Sequence, residues 1–252
     1  MNHLLNFHYL DKQRANNVRG GNNRRTHRQT FSKEQFLQAN CQFIVPADSL
    51  DYSIHFADPD LAIDWSRVEQ VRLHSMQPLK CPICLSEPQA GKITRCGHVY
   101  CWSCLLHYLA LSDKPWRKCP VCAESIYKQD IRSVRGIVSR SLKVGDWITF
   151  RLMCRERGSV VCYPKRSFKQ QSSSKIEPER LRTETNQEQF AHLLSANEQT
   201  ILTEIIEKEK FDLLKQLEDD GEQPEACFIK QALEENNVMR KFTKEKIFDF
   251  CF

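Results

Sequence analysis

The chain has 252 residues, 40% of them hydrophobic and 27% charged, which is enough material for one or two modest cores. It holds no run near the roughly 18 apolar residues that a membrane span needs, and MNHLLNFHYLDKQR lacks the ordered regions of a secretory signal, so an intracellular protein without membrane contact is expected. The net charge of +5 hides a gradient: Trp116 to Lys175 carries fourteen Lys and Arg against four acids, whereas Pro178 to the end carries ten against seventeen.

Residues 11–33 hold seven Lys or Arg, one acid and almost no large apolar side chains, so burial cannot offset the entropy of ordering them; a disordered basic arm is expected over 1–33. Apolar residues return from Phe36 in FLQANCQFIV, then DYSIHFADPD, then IDWSRVEQVRLHS. There Trp65, Val68 and Val71 or Arg72 fall at helical spacing with Asp64 as a cap, predicting a small packed segment over 34–78. After a cysteine-rich stretch over 79–126, KVGDWITFRLMCRERGSVVCYPK predicts a β-hairpin within a basic extension, 127–168. Trp147, Thr149, Arg151 and Met153 lie on one face, Ile148, Phe150 and Leu152 on the other, and the turn is near Gly158. SFKQQSSSKIEPE reads as a linker, 169–183. Phe190, Leu193, Leu194, Ile201, Ile205, Phe211, Leu214 and Leu217 recur at near-helical intervals, predicting a long amphipathic helix broken near Asn197. GEQPEACFIKQALEENN adds a turn, with Pro224 near the first turn of another helix, so 184–252 is expected to be helical. No internal repeat is visible.

Twelve cysteines without an export signal point to metal or catalysis and not to disulfides. Eight ordered ligands stand out: Cys81, Cys84, Cys96, His98, Cys101, Cys104, Cys119 and Cys122, spaced C-x2-C, x11, C-x-H, x2, C-x2-C, x14, C-x2-C. Zinc favours four soft or borderline ligands in a tetrahedron, and a C-x2-C turn sets two thiolates on one ion, so four pairs make two Zn2+ sites. Metal binding would then supply most of the folding free energy here, on the order of 10 kcal/mol per site. Filled tetrahedral sites leave no position for a catalytic water, so all eight ligands are expected to be structural, with no catalytic residue among them. Cys41, Cys154, Cys162, Cys227 and Cys251 show no ligand spacing.

This pattern resembles the C3HC4 RING finger. The resemblance implies a cross-brace, with Cys81, Cys84, Cys101 and Cys104 on one ion and Cys96, His98, Cys119 and Cys122 on the other. It also implies an apolar groove that docks a ubiquitin-conjugating enzyme (E2), at the matching positions Ile83, Trp116 and Pro120. CWSCLLHYLALSD should be the RING helix, with Leu105, Leu109 and Tyr108 as core. The expected fold class is α+β: a zinc-stabilised cross-brace RING with a flanking β-hairpin and C-terminal helices. One position departs from many active RINGs, which place Arg or Lys directly after the last ligand; here it is Ala123.

NHLLNF, FLQANCQFIV, HFADPD, DWSRVEQVR, CPICL, ITRCGHVYCWSCLLHYL, KCPVC, VGDWITFRLM and PEACFI together resemble the RING finger protein 10 family over most of residues 2–235. That resemblance implies an E3 ubiquitin ligase working with E2 and ubiquitin on small (40S) ribosomal subunit proteins when translation stalls, in the cytoplasm and, second, the nucleus. The basic stretches would suit ribosomal RNA contact. The chain is shorter than that family leads one to expect, as a partial chain would be. The alternative is a non-catalytic RING scaffold or transcriptional cofactor, separable by substitution at Ile83 and Trp116.

Overall fold

The computed structural model describes residues 33–47, 52, 54, 55, 58, 61–139, 141–155, 157, 162–165, 179, 180 and 191–249. The predicted basic arm up to residue 32, most of the linker, the turn at Gly158 and Phe190 lie outside the described residues.

Helix α1 (Lys33–Asn40) leads directly into β1 (Cys41–Pro46). Five consecutive residues of CQFIVP are buried, the signature of a strand covered on both faces. Phe43 and Val45 join Leu37, Tyr52, Ile63 and Val71 on one side, while Ile44 joins Leu194, Leu202 and Ile205 on the other. Asp64 does cap a helical turn, accepting from Ser66 N at 2.9 Å, but that turn is a single 3-10 turn, Trp65–Arg67. The helical spacing expected through Val71 is corrected here: β2 (Gln70–Ser75) follows, and Val71 sits between Phe43 and Val134, where a β-branched side chain packs well.

The cysteine-rich segment supplies β3 (Lys92–Ile93), β4 (Val99–Tyr100), α2 (Trp102–Ala110), β5 (Trp116–Lys118) and β6 (Ser125–Tyr127). Strand β7 (Arg132–Val138) then returns alongside β2 in parallel, from Gln70–Ser133 to Ser75–Val138. Antiparallel β3 adds to the other edge of β7 and β4 to β3.

The predicted hairpin is much shorter than expected. Among the described residues of this segment only β8 (Met153–Cys154) and β9 (Tyr163–Pro164) pair, and residues 146–152 have no regular structure. Trp147 and Phe150 are 97% and 90% exposed, so the packing expected of two hairpin faces is absent there.

A second correction concerns the long helix. Residues Leu193–Ala196 form a strand, here β11, which pairs in parallel with β1 and with β10 (Glu179–Arg180). Leu193 and Leu194 satisfied a helical pattern equally well, but each is buried on a different face of the sheet. Helical structure begins only after Asn197, whose side chain accepts from Thr200 N at 2.8 Å. Helix α3 (Glu198–Ile201) passes through a π turn, Leu202–Ile206, into α4 (Glu207–Asp220), and α5 (Ala226–Asp249) follows the turn at Gly221. The π turn lays Leu202, Ile205 and Ile206 against Ile44 and Leu194. The result is a mixed seven-stranded sheet, β10-β11-β1-β2-β7-β3-β4, with the helices against it. Among the described residues no helix is long and apolar enough to cross a membrane.

Candidate metal centre and its surface

CPICLS and CPVCAE fold into two matching knuckles. Leu85 N donates to Cys81 O at 2.7 Å and Ala123 N to Cys119 O at 2.9 Å, while Cys81 N and Cys119 N donate to Ser86 O and Glu124 O at 2.9 and 2.6 Å. The residue after each second cysteine takes a left-handed backbone, φ 65° at Leu85 and 61° at Ala123. Between the Cys96 and His98 ligands, Gly97 has φ 86°, and a Cβ there would meet Leu37 Cδ2 at 3.3 Å. The positive φ favours glycine for the turn, and a side chain there would crowd Leu37 of α1.

The ligand atoms gather into two groups. Cys81, Cys84, Cys101 and Cys104 form one and Cys96, His98, Cys119 and Cys122 the other, with all atoms of each group within 4.8 Å of one another. The pairs alternate along the chain, which is the cross-brace. A tetrahedron with ~2.3 Å Zn–S bonds has edges of about 3.8 Å. Cys84 Sγ lies 3.5 Å from Cys101 Sγ, and His98 Nδ1 lies 3.4 Å from both Cys96 Sγ and Cys119 Sγ. Donor type and spacing fit two zinc ions, with Nδ1 as the imidazole ligand.

Groups around the sulfurs support that use. Three or four thiolates on one dication carry excess negative charge, which nearby N–H and O–H groups spread. Gln89 N donates to Cys101 Sγ at 3.4 Å, Thr94 Oγ1 lies 3.0 Å from Cys96 Sγ, and the buried Tyr100 hydroxyl lies 3.1 Å from Cys119 Sγ. Burial, then the Cys119 sulfur, pushes the Tyr100 phenol well above its ordinary range, so it stays a donor. Burial pushes the Cys96 thiol up, with Thr94 pulling the other way. Burial first and the Lys33 charge second lower the His98 pKa, favouring the neutral imidazole that a metal needs. Thr94 and Tyr100 were not singled out from sequence; the polar tips within ITRCGHVYC were the available signal.

The RING helix packs against the C-terminal helices. Trp102, Leu105 and Leu106 of α2 share a core with Leu213 of α4 and with Ile229 and Ala232 of α5. His107 stacks on Phe228 with ring centroids 4.5 Å apart, Ser103 Oγ donates to Gln216 Oε1 at 3.1 Å, and Lys92 Nζ pairs with Glu209 Oε1 at 2.6 Å. Leu105 is core as expected and Leu109 packs at its margin. Tyr108 is half-buried, its hydroxyl donating to Lys118 O at 2.7 Å and its ring under Arg117.

Ile83 is 40% exposed, Pro120 is exposed, and Trp116 is half-buried on β5 opposite Tyr127 with Lys114 Nζ over its ring. Two neighbours were missed from sequence, Leu85 at 73% and Val121 at 52% exposure, since zinc spacing does not reveal which knuckle side chains face outward. Beside the site of Cys96, His98, Cys119 and Cys122, Lys33 Nζ of α1 pairs with Glu124 Oε1 and Arg95 Nη2 with Glu34 Oε1, both at 2.8 Å.

Residues 81–122 match the family described as zinc finger, C3HC4 type (RING finger). Over 200 residues the chain is 31% identical to a RING finger protein of Schizosaccharomyces pombe, covering 67% of this chain and 30% of that protein. It is 26% identical over 190 residues to MAG2 of Saccharomyces cerevisiae, which is named an E3 ubiquitin-protein ligase, covering 65% of this chain and 28% of MAG2. SLX8, a subunit of the SLX5-SLX8 E3 ubiquitin-protein ligase complex of the same yeast, is 33% identical over 107 residues, 42% of this chain and 39% of SLX8. The chain thus spans less than a third of the length of the first two relatives. No solved structure matches it. Alternating ligand groups, paired knuckles and these similarities agree: residues 81–122 are a C3HC4 RING finger, in a chain homologous to RING-type ubiquitin ligases.

Proposed function

We propose that this chain is the RING-bearing part of an E3 ubiquitin ligase that recruits a ubiquitin-charged E2 and promotes transfer to substrate lysines. The observation that carries the reading is that Ile83 and Pro120 stay exposed on the two knuckles, with Trp116 half-exposed nearby in sequence, while the other wall of α2 is already covered by α4 and α5. A RING offers no nucleophile, since its sulfurs are committed to metal; it acts by holding the E2 thioester and ubiquitin in a reactive orientation. The acceptor amine then attacks the thioester carbonyl, the N–C bond forms as the C–S bond breaks, the E2 cysteine leaves as thiolate, and the amine proton passes to solvent.

The resemblance to the RING finger protein 10 family supports small ribosomal subunit proteins as substrates, in ribosome quality control in the cytoplasm. The basic stretch from Trp116 to Lys175 would suit a surface rich in RNA phosphate. A scaffold without transfer activity is the second reading, favoured by the absence of a cationic side chain at Ala123.

Zinc-loaded protein incubated with E1, a panel of E2 enzymes, ubiquitin and 40S subunits tests the proposal. Expected is modification of small-subunit proteins that Ile83→Ala and Trp116→Ala both abolish. Correctly folded protein that transfers ubiquitin with no E2, and whose variants behave identically, would leave the scaffold reading.

A further inference from the structure

Ala123 follows the last zinc ligand with a left-handed backbone, and its methyl group has no hydrogen bond to offer. A cation nevertheless stands at this corner, delivered from far away in sequence. Lys33, the first residue of α1, places Nζ 2.8 Å from Glu124 Oε1, one residue past Ala123. This is the knuckle that presents Pro120 and Val121 to solvent.

The placement of α1 is over-determined without Lys33. Buried Leu37 lies against Gly97, and Asn40 leads straight into β1, an interior strand of the sheet. The Lys33–Glu124 pair itself is open to water, with side chains 38% and 50% exposed, and such pairs add little stability. An ammonium has three donors. The Glu124 carboxylate holds Nζ at this corner and does not exhaust the three.

We propose that Lys33 is a positioning residue for ubiquitin transfer: a cation supplied by α1, outside the RING, that donates a charge-assisted hydrogen bond to a carbonyl of the docked E2–ubiquitin conjugate and holds the thioester in its reactive orientation. The proposal rests on the ligase reading above. Lys33 neither gains nor loses a proton in the transfer; it narrows the range of orientations from which attack occurs.

The test is single-turnover discharge of ubiquitin from a pre-charged E2 onto free lysine, using the zinc-loaded full chain. Lys33→Ala should slow discharge by roughly tenfold, the scale of one charge-assisted hydrogen bond, with E2 affinity, two bound zinc ions per chain and thermal midpoint all held. Lys33→Arg should keep the rate, and Ala123→Arg placed in the Lys33→Ala background should restore it by supplying a cation from within the RING. Discharge by Lys33→Ala at the wild-type rate overturns the proposal, as does a loss that tracks E2 affinity or zinc content, or one produced by Lys118→Ala instead. Wild-type protein inactive with every E2 would remove the ligase reading and this one with it; active wild type with an unaffected Lys33→Ala removes this one alone.

Discussion

Tyr100 is fully buried, and its hydroxyl meets a zinc-ligating sulfur at 3.1 Å. Tyr100→Phe keeps the ring and deletes that donor, so fold and stoichiometry should survive while zinc affinity falls about 10–100-fold, as is typical when a group supporting a metal ligand is removed; competition with a chromophoric chelator measures it. Cys41 makes a different kind of prediction. Burial in β1 raises its thiol pKa from 9.0 to about 11. The folded state therefore favours the neutral form, and the stability this represents is complete below pH 9 and lost as pH rises toward 11. The loss should be about 2–3 kcal/mol, read from denaturant midpoints across that window, and Cys41→Ala should flatten the decline. Ligand thiols released on unfolding also titrate near pH 9, but equally in both proteins, so the difference between wild type and Cys41→Ala isolates Cys41.

Lys92 on β3 and Glu209 on α4 form the least exposed of the described ion pairs, and the Lys92 ammonium also lies over the Trp102 ring. Glu209→Gln should cost on the order of 2 kcal/mol by leaving a cation nearly buried without its partner, whereas the double change Lys92→Met, Glu209→Leu should cost much less. Urea denaturation of the single and double variants distinguishes the two. At this scale the difference between what sequence reveals and what it hides is plain. The eight ligands were legible because a zinc knuckle is local chemistry, readable within four residues. Helix α5 was legible because PEACFIKQALEENN carries both a start signal and a face. Strands β1, β2, β7 and β11 were not, because each owes its state to a partner distant in sequence: Val71 needs Val134, and Leu193 needs Phe43. The segment around Trp147 failed in the opposite sense, since alternating side chains imitate a strand whether or not a partner strand reaches them. Of the candidate surface, Ile83 and Pro120 could be named from the RING resemblance, but Lys33 could not, because nothing in the chain before α1 announces that it will meet Glu124.

Over the whole molecule, the zinc sites and the C-terminal helices share one core and are expected to open together. Leu213, Ile229 and Ala232 fill the same core as Cys101, Leu105 and Cys119. Removing zinc with a chelator should therefore raise amide exchange in α4 and in the first turns of α5 together with the RING, while the layer built on Phe43, Val45 and Tyr52 keeps more of its protection. Exchange confined to residues 81–122 would contradict this. The pairing of β1 with β11 has a consequence for how the chain is made. Phe43 waits for Leu193, one hundred and fifty residues later, and at ordinary rates of translation that interval is roughly 8–30 s. During it the strand holding Ile44 and Val45 is already synthesised but has an open edge, the form in which nascent chains pair with one another. The segment around Leu193 thus decides when the strand at Phe43 is sheltered, and a ribosome that halts anywhere in between leaves that strand unsheltered for as long as it stays halted.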